Sequence, residues 1–175
     1  MRYSRIFLIT ICFAIAGFSR VDAEVNTGTP SQFVRHEHDQ IYARLERMAQ
    51  APGKTGKAAR KLLTIMRPHL FKEETFVLPQ MGLLKKLAFG EPMEGMTWAI
   101  KNSEELKEEY PQMLAEHKAI FASIDELAKA AELEGDQAAI VLAAQLKAHI
   151  QDEEDIIYPA AILAGQYIKK THPKT

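Results

Sequence analysis

The chain has 175 residues, 47% of them apolar and 26% charged, enough for one globular domain with a substantial core. Its 22 Lys and Arg nearly balance 23 Asp and Glu, and no basic stripe interrupts the sequence, which argues against a nucleic-acid partner. The single cysteine, Cys12, excludes a disulfide framework, Cys-ligated zinc and iron–sulfur clusters, so any metal must be held by His and carboxylates.

Residues 1–23 read as an export signal, which predicts a periplasmic protein. Arg2 and Arg5 supply a positive start, Ile6 to Phe18 is an apolar run, and Val21-Asp22-Ala23 offers small residues at a cleavage site. The run falls short of the roughly 20 apolar residues that span a bilayer, so a membrane is involved only if this segment stays uncleaved. Cys12 lies inside it and leaves the mature chain without a thiol.

A polar linker, EVNTGTPSQ, covers residues 24–32. FVRHEHDQIYARLERMA then spaces Phe33, Val34, Ile41, Leu45 and Met48 at helical intervals until APG breaks the pattern. KTGKAARKLLTIMRPHLFKEETFV predicts a second helix ending at Pro79. QMLAEHKAIFASIDELAKAAELEG predicts a third, closed by Gly135. The fourth, DQAAIVLAAQLKAHIQDEEDIIYP, has Asp136 as its N-cap and exits at Pro159. No strand-like alternation competes, and the fold class is all-α: an antiparallel four-helix bundle. Residues 80–110 read as an extra helical connection between the second and third helices, with Met93, Met96 and Trp98 as packing residues.

The chain repeats itself. EHDQIYARLERMA from Glu37 aligns with EHKAIFASIDELA from Glu116, an offset of 79 that equates His38 with His117. AARKLLTIMRPHLFKEETFVLP from Ala58 aligns without a gap with AAIVLAAQLKAHIQDEEDIIYP from Ala138. That offset is 80, and it equates His69 with His149, Glu73 with Glu153 and Pro79 with Pro159. The bundle is therefore expected as two helical hairpins, each with one His on its first helix and His-x-x-x-Glu on its second.

Residues four apart on a helix lie about 40° apart around its axis, so His69 and Glu73 point one way, as do His149 and Glu153. Four imidazoles and two carboxylates brought together in an apolar core would be costly without compensation, and a metal pair supplies it. The expected ligands are His38, His69, Glu73, His117, His149 and Glu153. Glu74 and Glu154 are expected outside the ligand set, exposed or backing it. His36, about 200° around the helix from His38, should face away.

These paired His-x-x-x-Glu-Glu motifs ending in Pro resemble the hemerythrin-like (HHE cation-binding) family over roughly residues 31–165. The domain is expected to run from 31 to 168, with 169–175 a basic tail. The resemblance implies a non-haem di-iron centre, His38 and His69 on one iron, His117 and His149 on the other, and Glu73 and Glu153 bridging. Oxygen carriers of the family have a further His one turn after the third-helix His; here that position is Phe121, and its repeat mate is Tyr42. Both should face inward, as packing or, for Tyr42, as a hydrogen-bond donor to a bound ligand. The remaining ligand set is similar to that of iron-centre repair proteins, without the cysteine-bearing domain many of them carry. Iron suits imidazole with bridging carboxylates better than zinc does, and manganese or a mixed pair stays open.

The function this implies is an exported di-iron protein that binds or senses O₂, NO or reactive oxygen, or buffers iron, with an unknown redox partner. A di-iron enzyme detoxifying peroxide or NO is the alternative, and a metal-free helical interaction module the second. Pro68 precedes His69 but has no counterpart at Ala148, which predicts a kink in the second helix only.

Overall fold

The computed structural model describes residues 30–91 and 96–171. The expected export signal with Cys12, and also Met93 and His172, lie outside the described residues. Every regular element among the described residues is helical: α1 (Pro30–Gln50), α2 (Gly53–Lys72), α3 (Leu78–Met81), α4 (Leu84–Ala88), α5 (Thr97–Glu134), α6 (Gln137–Asp152) and α7 (Tyr158–Thr171). Five-residue π-helical turns, Glu73–Val77 and Glu153–Ile157, join α2 to α3 and α6 to α7. The result is four rods: α1, α2 with α3, α5, and α6 with α7. The helical bundle expected from the sequence is the fold.

The rods begin and end for identifiable reasons. The amide of Ala139 donates to Asp136 Oδ1 at 3.0 Å, the N-cap read from the sequence. Gly135, at φ 70°, takes the left-handed conformation that closes α5. The start of α2 has no side-chain cap of its own. Glu134 at the end of α5 accepts from the Lys54 and Thr55 amides instead, at 2.6 and 3.0 Å. That contact stitches the first hairpin to the second.

The 80–110 stretch divides differently from the expected connection. Only α4 is a separate short helix; residues 97–110 form the first third of α5, which runs for 38 residues through Pro111. Trp98 is 39% exposed, whereas Met96 packs against Leu83, Ala99 and Ile168. Lys169, Lys170 and Thr171, expected in the tail, continue α7, and Lys169 pairs with Glu104 at 2.5 Å. Gly165 permits the close approach of α7 to α5: a Cβ there would stand 2.2 Å from Ser103 Cβ and 2.6 Å from the Ala99 carbonyl.

Two apolar clusters divide the bundle along its length. One gathers Leu45, Leu62, Ile120, Ile124, Leu127, Leu142 and Leu146 from α1, α2, α5 and α6. The other holds Val77, Met81, Leu106, Met113, Tyr158 and Ala161. Each fully buried aliphatic side chain stabilises the fold by about 1.5–3 kcal/mol. Along α2, α5 and α6 the His and Glu residues of interest fall between the two sets. A polar layer is thus sealed on both sides by hydrocarbon.

Candidate metal centre

His38 on α1, His69 on α2, His117 on α5, and Glu73 and Glu153 at the starts of the two π turns are all buried. His149 on α6 is the most exposed of the four imidazoles, with 11% of its side chain accessible. Both His-x-x-x-Glu motifs keep α-helical spacing and then widen into a π turn. Pro68 precedes only one of them, so the proline is not what opens the turn. Such turns inside helices recur at functional sites.

The six side chains converge. Glu73 Oε1 lies 3.5 Å from His69 Nε2, while its Oε2 lies 3.6 Å from His38 Nε2. Glu153 Oε1 lies 2.9 Å from His149 Nε2 and 3.3 Å from His38 Nε2; its Oε2 lies 3.4 Å from His117 Nε2. Each carboxylate therefore turns one oxygen to each of two imidazole pairs. His69, Glu73, His117 and Glu153 offer ligand atoms all within 4.8 Å of one another, and so do His38, His149 and Glu153. Metal bonds of about 2.1 Å put cis ligands about 3 Å apart and trans ligands about 4.2 Å apart.

The pairing differs from the one the resemblance implied. His69 stands with His117, their Nε2 atoms 2.8 Å apart, and His38 stands with His149, ring centroids 5.0 Å apart. Each pair thus draws one His from each hairpin. Both pairs bridge contacts between the hairpins, α2 with α5 and α1 with α6.

Groups behind the imidazoles fix how they present themselves. Glu116 Oε2 sits 3.0 Å from His69 Nδ1, and Glu154 Oε1 sits 2.8 Å from His117 Nδ1. A carboxylate at Nδ1 holds the ring proton there and leaves Nε2 as a lone pair aimed inward. The two Nε2 atoms, 2.8 Å apart, share a proton in the metal-free protein or a metal cation where one is bound. Among the described residues, Glu73 Oε2 is also buried without a hydrogen bond. This donor set fits a metal cation.

The electrostatics agree. Burial disfavours charge on His69, but Glu73, Glu116 and Glu153 outweigh it and raise its pKa. His149 is likewise raised: burial opposes, and Glu153, Glu73 and Glu37 prevail. Burial would raise the buried Glu153, yet His149 and His38 pull its pKa well below the usual carboxylate range. Glu116 is held down to about 2, burial being overcome by Lys72, His69 and Gln112. Carboxylates held charged around imidazoles form a field that attracts a dication.

The remaining expected residues divide. Glu154 backs His117, but Glu74 turns outward to Arg35 at 3.7 Å. The Tyr42 hydroxyl is bonded by Arg67, and Phe121 packs against the larger apolar cluster. His36 faces away and bonds Gln40 at 2.8 Å. Three neighbours of the centre escaped the sequence reading. Glu116 and Glu37 were visible as the Glu-His dipeptide shared by both repeats; Glu37 Oε2 lies 3.7 Å from His149 Nδ1. Tyr158 gave no signal, because its repeat mate is Leu78. A cleft of about 260 Å³ between α1 and α6, lined in part by Glu37, Arg44 and Gln145, ends on His149.

The family model for the hemerythrin HHE cation-binding domain matches residues 29–161, most of the chain. The chain belongs to the hemerythrin HHE family. No curated protein and no solved structure matches it. For an HHE domain the clustered His and Glu side chains are the metal-capable part of the molecule, and they lie within the matched span.

Proposed function

We propose that this HHE protein is an exported, periplasmic di-iron protein that binds or senses O₂, NO or reactive oxygen at the metal pair. The observation carrying this reading is the two-faced arrangement of Glu73 and Glu153, each with one oxygen toward each imidazole pair. His69 and His117 would hold one ion, His38 and His149 the other, and the two carboxylates would bridge. Bound there, two irons would supply open coordination positions and two reducing equivalents. The chain's own residues orient the imidazoles through Glu116 and Glu154, neutralise the cation charge and exclude bulk water with the flanking apolar clusters. Export rests on the charged start and apolar run of residues 1–23.

Metal analysis and an optical spectrum of the aerobically purified mature chain test this reading. About two irons per chain with an oxo-bridged ferric spectrum is the expected result. Failure to take up metal on anaerobic reconstitution with ferrous iron would overturn it. Catalytic turnover of peroxide or NO, rather than stoichiometric binding, would move the assignment to a detoxifying enzyme.

A further inference from the structure

The two halves of the centre are unequal, and the inequality lies in one residue outside the repeat-matched set. Tyr158 opens α7 immediately after the second π turn and is completely buried. Its repeat mate in the first hairpin is Leu78, so the phenol has no counterpart. The hydroxyl bonds Glu73 Oε1 and lies 3.1 Å from His117 Nε2 and 3.4 Å from His69 Nε2. Its ring stacks on His117, centroids 5.5 Å apart, and meets Tyr110 edge-on at 6.2 Å.

The phenol has one proton, which goes to Glu73, and its oxygen also stands against the inward nitrogens of both imidazoles. An oxygen with one carboxylate oxygen and two Nε2 atoms as near neighbours has the surroundings of a cis ligand in a coordination shell, where such edges are about 3 Å. Counting donors by half gives the contrast. His69, His117, Glu73 Oε1, Glu153 Oε2 and Tyr158 Oη face one point; His38, His149, Glu73 Oε2 and Glu153 Oε1 face the other.

We propose that Tyr158 is a seventh ligand residue, binding the His69/His117 ion through its oxygen, so that the His38/His149 ion takes the exogenous ligand. This rests on the dinuclear reading above. The His38/His149 side has one protein donor fewer, and each of its imidazoles lines a surface cleft, His149 the one between α1 and α6 and His38 the one beside Tyr42 and Arg67. On coordination the phenol O–H bond breaks, the oxygen–metal bond forms and the proton leaves to bulk water, as for any protic ligand.

The test is resonance Raman spectroscopy of the full ferric, iron-loaded chain, excited in the visible, with ring-deuterated tyrosine as a label. Tyrosinate ring modes that shift with the label are expected. They should vanish in Tyr158→Phe with iron content unchanged. If that variant does not fold, persistence of the modes in Tyr3→Phe, Tyr42→Phe, Tyr110→Phe and Tyr167→Phe makes the same assignment. Added azide should bind while the tyrosinate modes persist; azide that displaces them overturns the assignment of the open position. A wild-type chain with two irons and no tyrosinate modes overturns the inference and leaves the dinuclear reading standing. A chain without iron overturns that reading too, so the two failures are distinguishable.

Discussion

Glu116 on α5 reaches across to α2 and sets its Oε2 3.0 Å from His69 Nδ1, while its Oε1 takes the Lys72 ammonium at 2.7 Å. One carboxylate thereby orients an imidazole of the neighbouring rod and is itself held by a cation from that rod. Loss of such a partner commonly weakens metal affinity by about 10–100-fold. Glu116→Gln is expected to do so in a chelator-competition titration, with helix content by circular dichroism unchanged. Glu37→Gln should have a smaller effect, because Glu37 stands 3.7 Å from His149 Nδ1, beyond hydrogen-bond reach.

Glu153 faces both imidazole pairs, whereas His38 belongs to one. Glu153→Ala is expected to abolish stoichiometric binding of both ions. His38→Ala should reduce uptake to about one ion per chain. Elemental analysis after gel filtration separates these outcomes, and equal losses in the two variants would contradict the two-faced geometry.

Acidity should act in opposite directions on the chelator-treated and metal-loaded forms. His69 and His149 have raised pKa values: burial opposes their charge, but the surrounding carboxylates prevail. Stability from a raised imidazole is complete below its unfolded pKa of about 6.5 and is lost as pH rises through the folded value. In the chelator-treated protein Tm should therefore fall from mildly acidic to alkaline pH. Metal needs neutral imidazoles, so affinity should rise over the same interval. Thermal melts with and without metal across that range check both slopes.

Gly165 leaves no room for a methyl group against Ser103 Cβ, at 2.2 Å, or the Ala99 carbonyl, at 2.6 Å. Gly165→Ala should destabilise the chain by about 1–3 kcal/mol through overpacking, despite alanine's better helix propensity. Urea denaturation measures it. An unchanged midpoint would mean that α7 is free to move away from α5.

The bundle and the six convergent side chains were legible because the information is local and repeated. Helical periodicity placed the rods, and a gapless offset of 80 equated His69-x-x-x-Glu73 with His149-x-x-x-Glu153. What was hidden depends on tertiary register. Which His joins which is decided by how the rods lie side by side, and that periodicity does not encode. Glu74 and Glu154 are repeat mates, yet Arg35 draws the first outward while the second backs His117. Tyr158 was hidden by geometry: nine residues after His149, an ideal α-helix would turn it about 180° away. The π turn between them takes up a smaller angle per residue and brings it back toward the centre.

Taking one His from each hairpin into each pair makes metal uptake a matter of chain connectivity. A site completed within one hairpin would leave the two halves free to part; here, neither half alone can complete either pair. The ions would serve as reversible cross-links across the internal duplication, in a chain whose single cysteine, Cys12, cannot form an internal disulfide. A cut in the backbone between α4 and α5 would then leave two fragments that hold together more tightly when loaded than when stripped.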